Sequence, residues 1–339
     1  MRVGLVGAGA IAHAHVEAYI RHPAVNAVIA ADRKKEAREA LAQQYGIIKG
    51  TASHYQELLA DEGIALIDVC TPHDTHHPIA LAALAAGKHV ICEKPLALTL
   101  AQADEMIAAA QQHGRRLFCS LNQRMYPAHL KAKEIIEQGD LGEPFFGVVV
   151  VVADEFARMN DPQSWKGDWK QAGGGALFDT GYHAIYMLQH FLGRATAVTA
   201  TARRCVVQAG NKADDCAVAS LELGPKRQAS IALTYAATGS PWAETRLIVG
   251  TKGSLQIVDA DEEMGPLSGS YEKEFVPIPV HNPPNLHSYS IRQTLHHFLD
   301  CLESGREPDI TLAEARSALS TALACYESAR TGRRVEVRG

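Results

Sequence analysis

A chain of 339 residues is longer than one hydrophobic core ordinarily serves, so two domains are expected. Hydrophobic residues make up 47% and charged ones 21%, the balance of a globular enzyme rather than of a disordered or fibrous chain. The formal net charge of −5 carries no basic block, which excludes the electrostatic footprint required by nucleic acid or an anionic lipid surface, and the longest apolar run, Pro144–Ala153, is too short to span a bilayer.

The first third alternates short apolar runs with amphipathic stretches. Val3–Val6 reads as a strand, Ile11–Arg21 as a helix, Ala27–Ala31 as a strand and Lys34–Tyr45 as a charged helix. Ala65–Cys70, His89–Cys92 and Leu117–Ser120 continue as strands, with helices at His77–Ala86 and Ala101–Gln112. Strict alternation means parallel pairing through right-handed crossovers, hence a doubly wound α/β domain over residues 1–121.

After a helix at Leu130–Gln138 the pattern changes. Phe145–Ala153, Val198–Val207, Ala217–Leu223, Ala229–Tyr235, Thr245–Val249 and Ser254–Val258 read as strands, interrupted by one helix at Leu177–Phe191. That predicts a mostly antiparallel, open sheet in an α+β domain over residues 122–286. Asp214–Cys216 and Gly250–Gly253 look like turns. Two helices close the sequence, Leu286–Glu303 and Leu312–Thr331, the second opened by a Thr311…Glu314 capping box. Residues 287–339 are expected to pack back on the first domain. The seven cysteines are scattered without a Cys-x-x-Cys pair, and no leader is read ahead of the first strand, so a reduced, cytoplasmic protein is expected. The alternative to packing thiols is a reactive one, such as Cys92 beside the Glu93-Lys94-Pro95 segment.

Gly7-Ala8-Gly9-Ala10-Ile11-Ala12 stands between the first strand and the first helix, a dinucleotide fingerprint with alanine in the third small position. Gly7 serves the tight turn, Gly9 lets a pyrophosphate approach, and Ala10 and Ile11 open a helix whose free N–H groups favour an anion. Asp32, twenty residues past Ala12, ends the second strand where an acid binds ribose hydroxyls and repels a 2′-phosphate. This points to NAD, while Arg33 beside it keeps NADP open.

Two segments carry reactive groups. Glu93-Lys94-Pro95 ends a parallel strand, where such sheets bind ligands, although a solvated loop lysine would read the same way. Gly173-Gly174-Gly175 runs into a helix that places Asp179 and His183 at i and i+4, on one face. Removing a hydride from an alcohol requires a base for its proton, and histidine titrates in the right range. Two ligands on one helix do not make a metal site, so no metal is expected. Asn122, Arg124 and Tyr126 follow the last parallel strand as candidates for substrate hydroxyls, and Trp165 could stack on a sugar ring or anchor packing.

Taken together, Gly7–Ala12, Cys70-Thr71-Pro72…His76, Glu93-Lys94-Pro95 and Trp165-Lys166…Gly173-Gly174-Gly175…Asp179…His183 resemble the Gfo/Idh/MocA family of sugar and polyol dehydrogenases over essentially the whole chain. The resemblance implies a Rossmann domain followed by an α/β domain whose open sheet mediates homo-oligomer contacts, in a dimer or tetramer. It implies that Lys94 hydrogen-bonds the reacting oxygen, that His183 is the acid/base, that Asp179 contacts substrate, and that Thr180 lines the substrate pocket. Thr71, Pro72, His76 and Glu93 fall beside the cofactor. One departure stands out: where family members often carry aspartate three residues after the histidine, this chain has Tyr186. The implied activity is hydride exchange between a nicotinamide and a secondary alcohol or ketone of a carbohydrate-like small molecule. Rival readings are an NAD-requiring glycosidase acting through transient oxidation and a cofactor-sensing regulator without turnover.

Overall fold

The computed structural model describes residues 1–208, 213–258, 266–271 and 274–339. By internal contacts the chain divides into two units, Met1–Met125 with Pro284–Arg316, and Tyr126–Pro283 with Ser317–Gly339.

The first unit runs β1 (Arg2–Val6), α1 (Ala10–Ile20), β2 (Ala27–Ala31), α2 (Lys35–Gln44), β3 (Ile48–Ala52), α3 (Tyr55–Ala60), β4 (Ile64–Val69), α4 (His76–Ala85), β5 (His89–Glu93), α5 (Leu100–Gln112) and β6 (Leu117–Ser120). Its six strands pair in the order β3-β2-β1-β4-β5-β6, all parallel, which is the doubly wound dinucleotide-binding order. The central strands β1 and β4 are almost wholly buried, as parallel strands covered on both faces must be. The β3–α3 segment escapes the sequence pattern. As the edge strand, β3 buries only Ile48 and Ala52, leaving too short an apolar signal to read.

The second unit continues with α6 (Pro127–Gln138), β7 (Pro144–Val152), α7 (Phe156–Asn160), α8 (Trp169–Ala172), α9 (Ala176–Leu192), β8 (Ala197–Arg203), β9 (Cys216–Glu222), β10 (Gln228–Thr234), β11 (Ala243–Gly250), β12 (Ser254–Val258), β13 (Leu267–Tyr271) and β14 (Glu274–Pro277). The chain then enters α10 (Leu286–Ser304) and α11 (Leu312–Thr331), and ends on β15 (Val335–Glu336). The nine strands pair as β14-β13-β12-β11-β7-β10-β9-β8-β15, antiparallel except for β10 on β7. One face packs on α9, where a Cβ at Gly147 would lie 2.7 Å from Leu192 and 2.8 Å from Leu188.

Two expectations need correction. Strand β8 ends at Arg203 rather than Val207, because Asp215 takes the next amides: Cys205, Val206 and Val207 donate their N–H groups to its carboxylate at 2.7–2.8 Å. And residues 287–339 do not group together. Pro284–Arg316 belong with the first unit, where Phe298 stacks on Phe118 at 4.7 Å and His296 reaches the carbonyl of Ala18. Ser317–Gly339 belong with the second, because β15 pairs with β8 and Ser328 accepts the Ala200 amide at 2.9 Å. The Thr311–Glu314 capping box forms at the start of α11, with bonds of 2.9–3.2 Å. Among the described residues, no helix is long and apolar enough to cross a membrane.

Candidate active site

In the first unit the predicted cofactor residues gather at the carboxyl ends of the parallel strands. Gly7 follows β1 with φ of +99°, and a Cβ there would lie 2.5 Å from the Cys70 carbonyl oxygen, so only glycine fits the turn. Gly9 is the opposite case, since a Cβ there meets nothing within 4 Å. It caps α1 without a side chain, and no acidic residue stands in the first turn, where Ala10 and Ile11 lie. The N-terminal amides therefore face an open space that suits a pyrophosphate. Asp32 closes the loop from below: its Oδ2 accepts the Ala8 N–H at 2.8 Å and its Oδ1 the Lys34 N–H at 2.8 Å. Arg33 is exposed, and Arg38 donates to the Asp32 carbonyl at 2.9 Å. An open glycine cradle with a fixed carboxylate beside it fits NAD.

The next strand ends bring in Thr71, Pro72 and the Glu93–Lys94 turn, whose Lys94–Pro95 peptide is cis. Thr75 Oγ1 donates at 2.7 Å to Thr71 Oγ1, steadying that loop. His76 corrects its expected role. Its side chain is fully buried, with ring nitrogens 2.9 Å from the carbonyl oxygens of Pro95 and Thr71. Burial lowers its pKa, and with both ring nitrogens turned to main-chain carbonyls it ties two loops together rather than presenting a polar atom to a cofactor. Cys92 is likewise no reactive thiol: it is wholly buried, and burial first, then Cys119 and Glu93, push its pKa far up.

Of the substrate candidates after β6, two are structural. Asn122 is buried and donates to Ser290 Oγ at 2.8 Å, pinning α10. Arg124 forms an ion pair with Glu314, the acid of the α11 capping box. Tyr126, in the second unit, stacks on His129 at 5.1 Å.

In the second unit the three glycines serve three different needs. Gly173 ends α8 with φ of +78°. A Cβ on Gly174 would collide with the Tyr326 hydroxyl at 2.2 Å, and one on Gly175 with the Asp214 carbonyl oxygen at 1.9 Å. Asp214, expected in a turn, is in fact the cap of α9. Its Oδ1 accepts from Gly175 N at 2.8 Å and from the Tyr326 hydroxyl at 2.6 Å, and its Oδ2 accepts from Leu177 N at 2.9 Å.

Helix α9 then presents Asp179, Thr180 and His183. Asp179 Oδ2 accepts from Lys166 Nζ at 2.6 Å and from the Tyr235 hydroxyl at 3.0 Å. Thr180 is buried against Tyr235, bonded hydroxyl to hydroxyl. His183 Nδ1 lies 2.8 Å from the Tyr186 hydroxyl, which answers the departure noted in the sequence: a phenol occupies the position of the carboxylate. Trp165 sits half-buried in the 3₁₀ turn that supplies Lys166. The sequence reading missed Tyr235 and gave Lys166 no role. Tyr235 lies on a strand end far from α9 in sequence and only pairing in the sheet brings it near. Lys166 could have been noted from its place beside Trp165 in the family segment.

Residues 1–121 match the NAD-binding Rossmann fold of the Gfo/Idh/MocA oxidoreductases, and residues 133–337 match that family's C-terminal alpha/beta domain. The chain belongs to this family, and it is an NAD-dependent oxidoreductase. Levoglucosan dehydrogenase of Pseudarthrobacter phenanthrenivorans is 35% identical over 209 residues, a match covering 59% of this chain and about half, 53%, of that enzyme. 1,5-Anhydro-D-fructose reductase of Ensifer adhaerens is 29% identical across 99% of this chain and 98% of its own length. Among solved structures, a levoglucosan dehydrogenase in complex with NADH and levoglucosan superposes with a TM-score of 0.89 at 27% identity, covering 100% of both chains.

Proposed function

We propose that the protein exchanges a hydride between NAD and a secondary alcohol or ketone of a sugar-like substrate. The observation that carries this reading is the α9 constellation, in which a histidine and a carboxylate one turn apart are each held by another side chain. Relatives that act on levoglucosan and anhydrofructose support a ring-shaped polyol as substrate.

Bound NAD⁺ supplies the hydride acceptor. His183, with Nδ1 on Tyr186, exchanges the hydroxyl proton at Nε2, so that loss of one proton and one hydride leaves a ketone. Lys94 donates to the reacting oxygen and stabilises the negative charge that develops there. Asp179, its Oδ2 held by Lys166 and Tyr235, accepts a second substrate hydroxyl. Trp165 and Thr180 are assigned to substrate, and Thr71, Pro72 and Glu93 to cofactor. The seven free cysteines support a reducing, cytoplasmic location. A homo-oligomer, dimer or tetramer, is supported by the sheet face that carries exposed Phe146, Val150 and Val218.

The test is NADH absorbance against a panel of anhydrosugars, polyols, aldoses, sugar acids and keto-sugars. Substrate-dependent NADH release should appear and fall by about 10²- to 10⁴-fold in Lys94→Ala and His183→Ala, with NAD affinity nearly unchanged. Unaltered turnover in those variants overturns the assignments. Glycoside cleavage with NAD retained and no net NADH would establish the hydrolytic alternative instead.

A further inference from the structure

Beneath the Glu93–Lys94 turn, the first unit buries a titratable cluster of which the proposed chemistry uses Glu93 alone. His15, on the inner side of α1, is fully buried. Its Nδ1 lies 2.7 Å from Asp68 Oδ2 on β4, and its Nε2 lies 3.1 Å from Glu93 Oε1 at the end of β5. Tyr19 donates to the same Asp68 oxygen at 2.7 Å. The Cys70 sulfur lies 3.3 Å from His15 Nδ1 and 3.7 Å from Asp68 Oδ1. The second oxygen of Glu93, Oε2, accepts the backbone N–H of Lys94 at 3.1 Å. Three elements thus meet on one imidazole: the helix that opens on the cofactor, a central strand, and the strand that presents the lysine.

An ionised carboxylate can only accept, so a ring with a carboxylate at each nitrogen has to carry a proton on both. Burial disfavours charge on His15, yet the charge and hydrogen bond of Asp68 hold its pKa well above the ordinary value. Burial would also raise the Glu93 carboxyl, but the bond and charge of His15, with Ser120 and Lys94 beside it, bring it to about 2. The other titratable neighbours stay neutral: burial first, then Asp68, pushes Cys70 to about 12, and burial raises Cys119 of β6 further still. The cluster is therefore an imidazolium between two carboxylates, with Lys94 as the next cation along the chain.

We propose that His15 is a positioning residue for Lys94: as a buried imidazolium it clamps the Glu93 carboxylate, fixes the turn that presents the lysine, and offsets a negative charge that would otherwise stand behind the reacting oxygen. The inference rests on the role of Lys94 proposed above. A developing alkoxide near an uncompensated carboxylate is destabilised, and a Glu93 side chain without its clamp no longer holds the Lys94 amide in one place.

A double-mutant cycle tests it, using His15→Gln, Glu93→Gln and the double variant, with kcat and KM on a panel substrate and NAD affinity by titration. Each single variant should lose kcat about 10- to 100-fold, as when a group behind a reactive ligand is removed, with NAD affinity within about threefold. The double variant should be no slower than the worse single one, because both act through the same contact. If the two losses multiply, or if His15→Gln keeps full kcat, the proposal is wrong. Lys94→Ala runs alongside: if it turns over normally, the reading of Lys94 fails, whatever the cycle shows. A readout without turnover covers the case in which His15→Gln does not fold. In nitrogen NMR of the intact enzyme, both His15 ring nitrogens should remain protonated from pH 6 to 8, about one unit either side of neutrality. A neutral His15 tautomer in that range would overturn the charge assignment.

Discussion

Replacing Asp214 with alanine isolates what holds the reactive helix in place. The carboxylate accepts from Gly175 N, Leu177 N and the Tyr326 hydroxyl. Gly175 N keeps a second acceptor in Tyr326 at 3.0 Å, so the variant strands two buried donors, Leu177 N and the Tyr326 O–H. Each stranded donor costs about 1–3 kcal/mol, and losing a negative charge at a helix N-terminus adds about 0.5 kcal/mol. Part is returned, because burial holds the Asp214 pKa up and its removal relieves that desolvation. The net expectation is a loss of about 3 kcal/mol, with Asp214→Asn losing roughly half because one acceptor oxygen remains. The assay is equilibrium urea unfolding followed by tryptophan fluorescence. All three tryptophans, Trp165, Trp169 and Trp242, lie in the second unit, so the signal reports the unit that Asp214 caps. A loss below about 1 kcal/mol, or an asparagine variant weaker than the alanine one, would refute the capping argument.

Other outcomes follow from single contacts. Tyr186→Phe removes the hydroxyl on His183 Nδ1 and should lower kcat about 2- to 12-fold, the worth of one neutral hydrogen bond, with little effect on NAD affinity. Gly7→Ala forces a Cβ onto the Cys70 carbonyl at positive φ and should weaken NAD binding at least about tenfold by calorimetry. Glu93 contributes stability that is present above its unfolded pKa of 4.5 and lost as pH falls to about 2. That interval is worth about 3 kcal/mol, so wild type should lose stability across it more steeply than Glu93→Gln in acid unfolding. Equal slopes would mean that the carboxylate is not held down.

The reach of the sequence followed the range of the interactions involved. Strand–helix alternation and the glycine loop are local, so the parallel sheet and the place of Asp32 were legible. Lys94, Asp179 and His183 could be singled out because motif spacing and the family resemblance marked them. What supports them could not. Tyr235 and Asp214 come from strands and loops remote from α9, and their partners exist only once the mixed sheet has formed. Arg124 and Asn122 misled for the same reason: their sequence position faces the right strand ends, but α10 and the start of α11, 168 and 190 residues on, supply their partners. His76 misled through burial, which sequence spacing does not register.

The split course of the chain bears on how it becomes folded. The first unit lacks α10, and with it the partner of Phe118, until Pro284 and beyond have been made. The second lacks the Tyr326 hydroxyl and the pairing of β15 with β8 until the final segment emerges. Neither unit can reach its finished state until most of the chain has been made, and their longest-range contacts close late. A chain stalled or cleaved after β14 would carry two incomplete cores at once, each exposing apolar surface that chaperones bind.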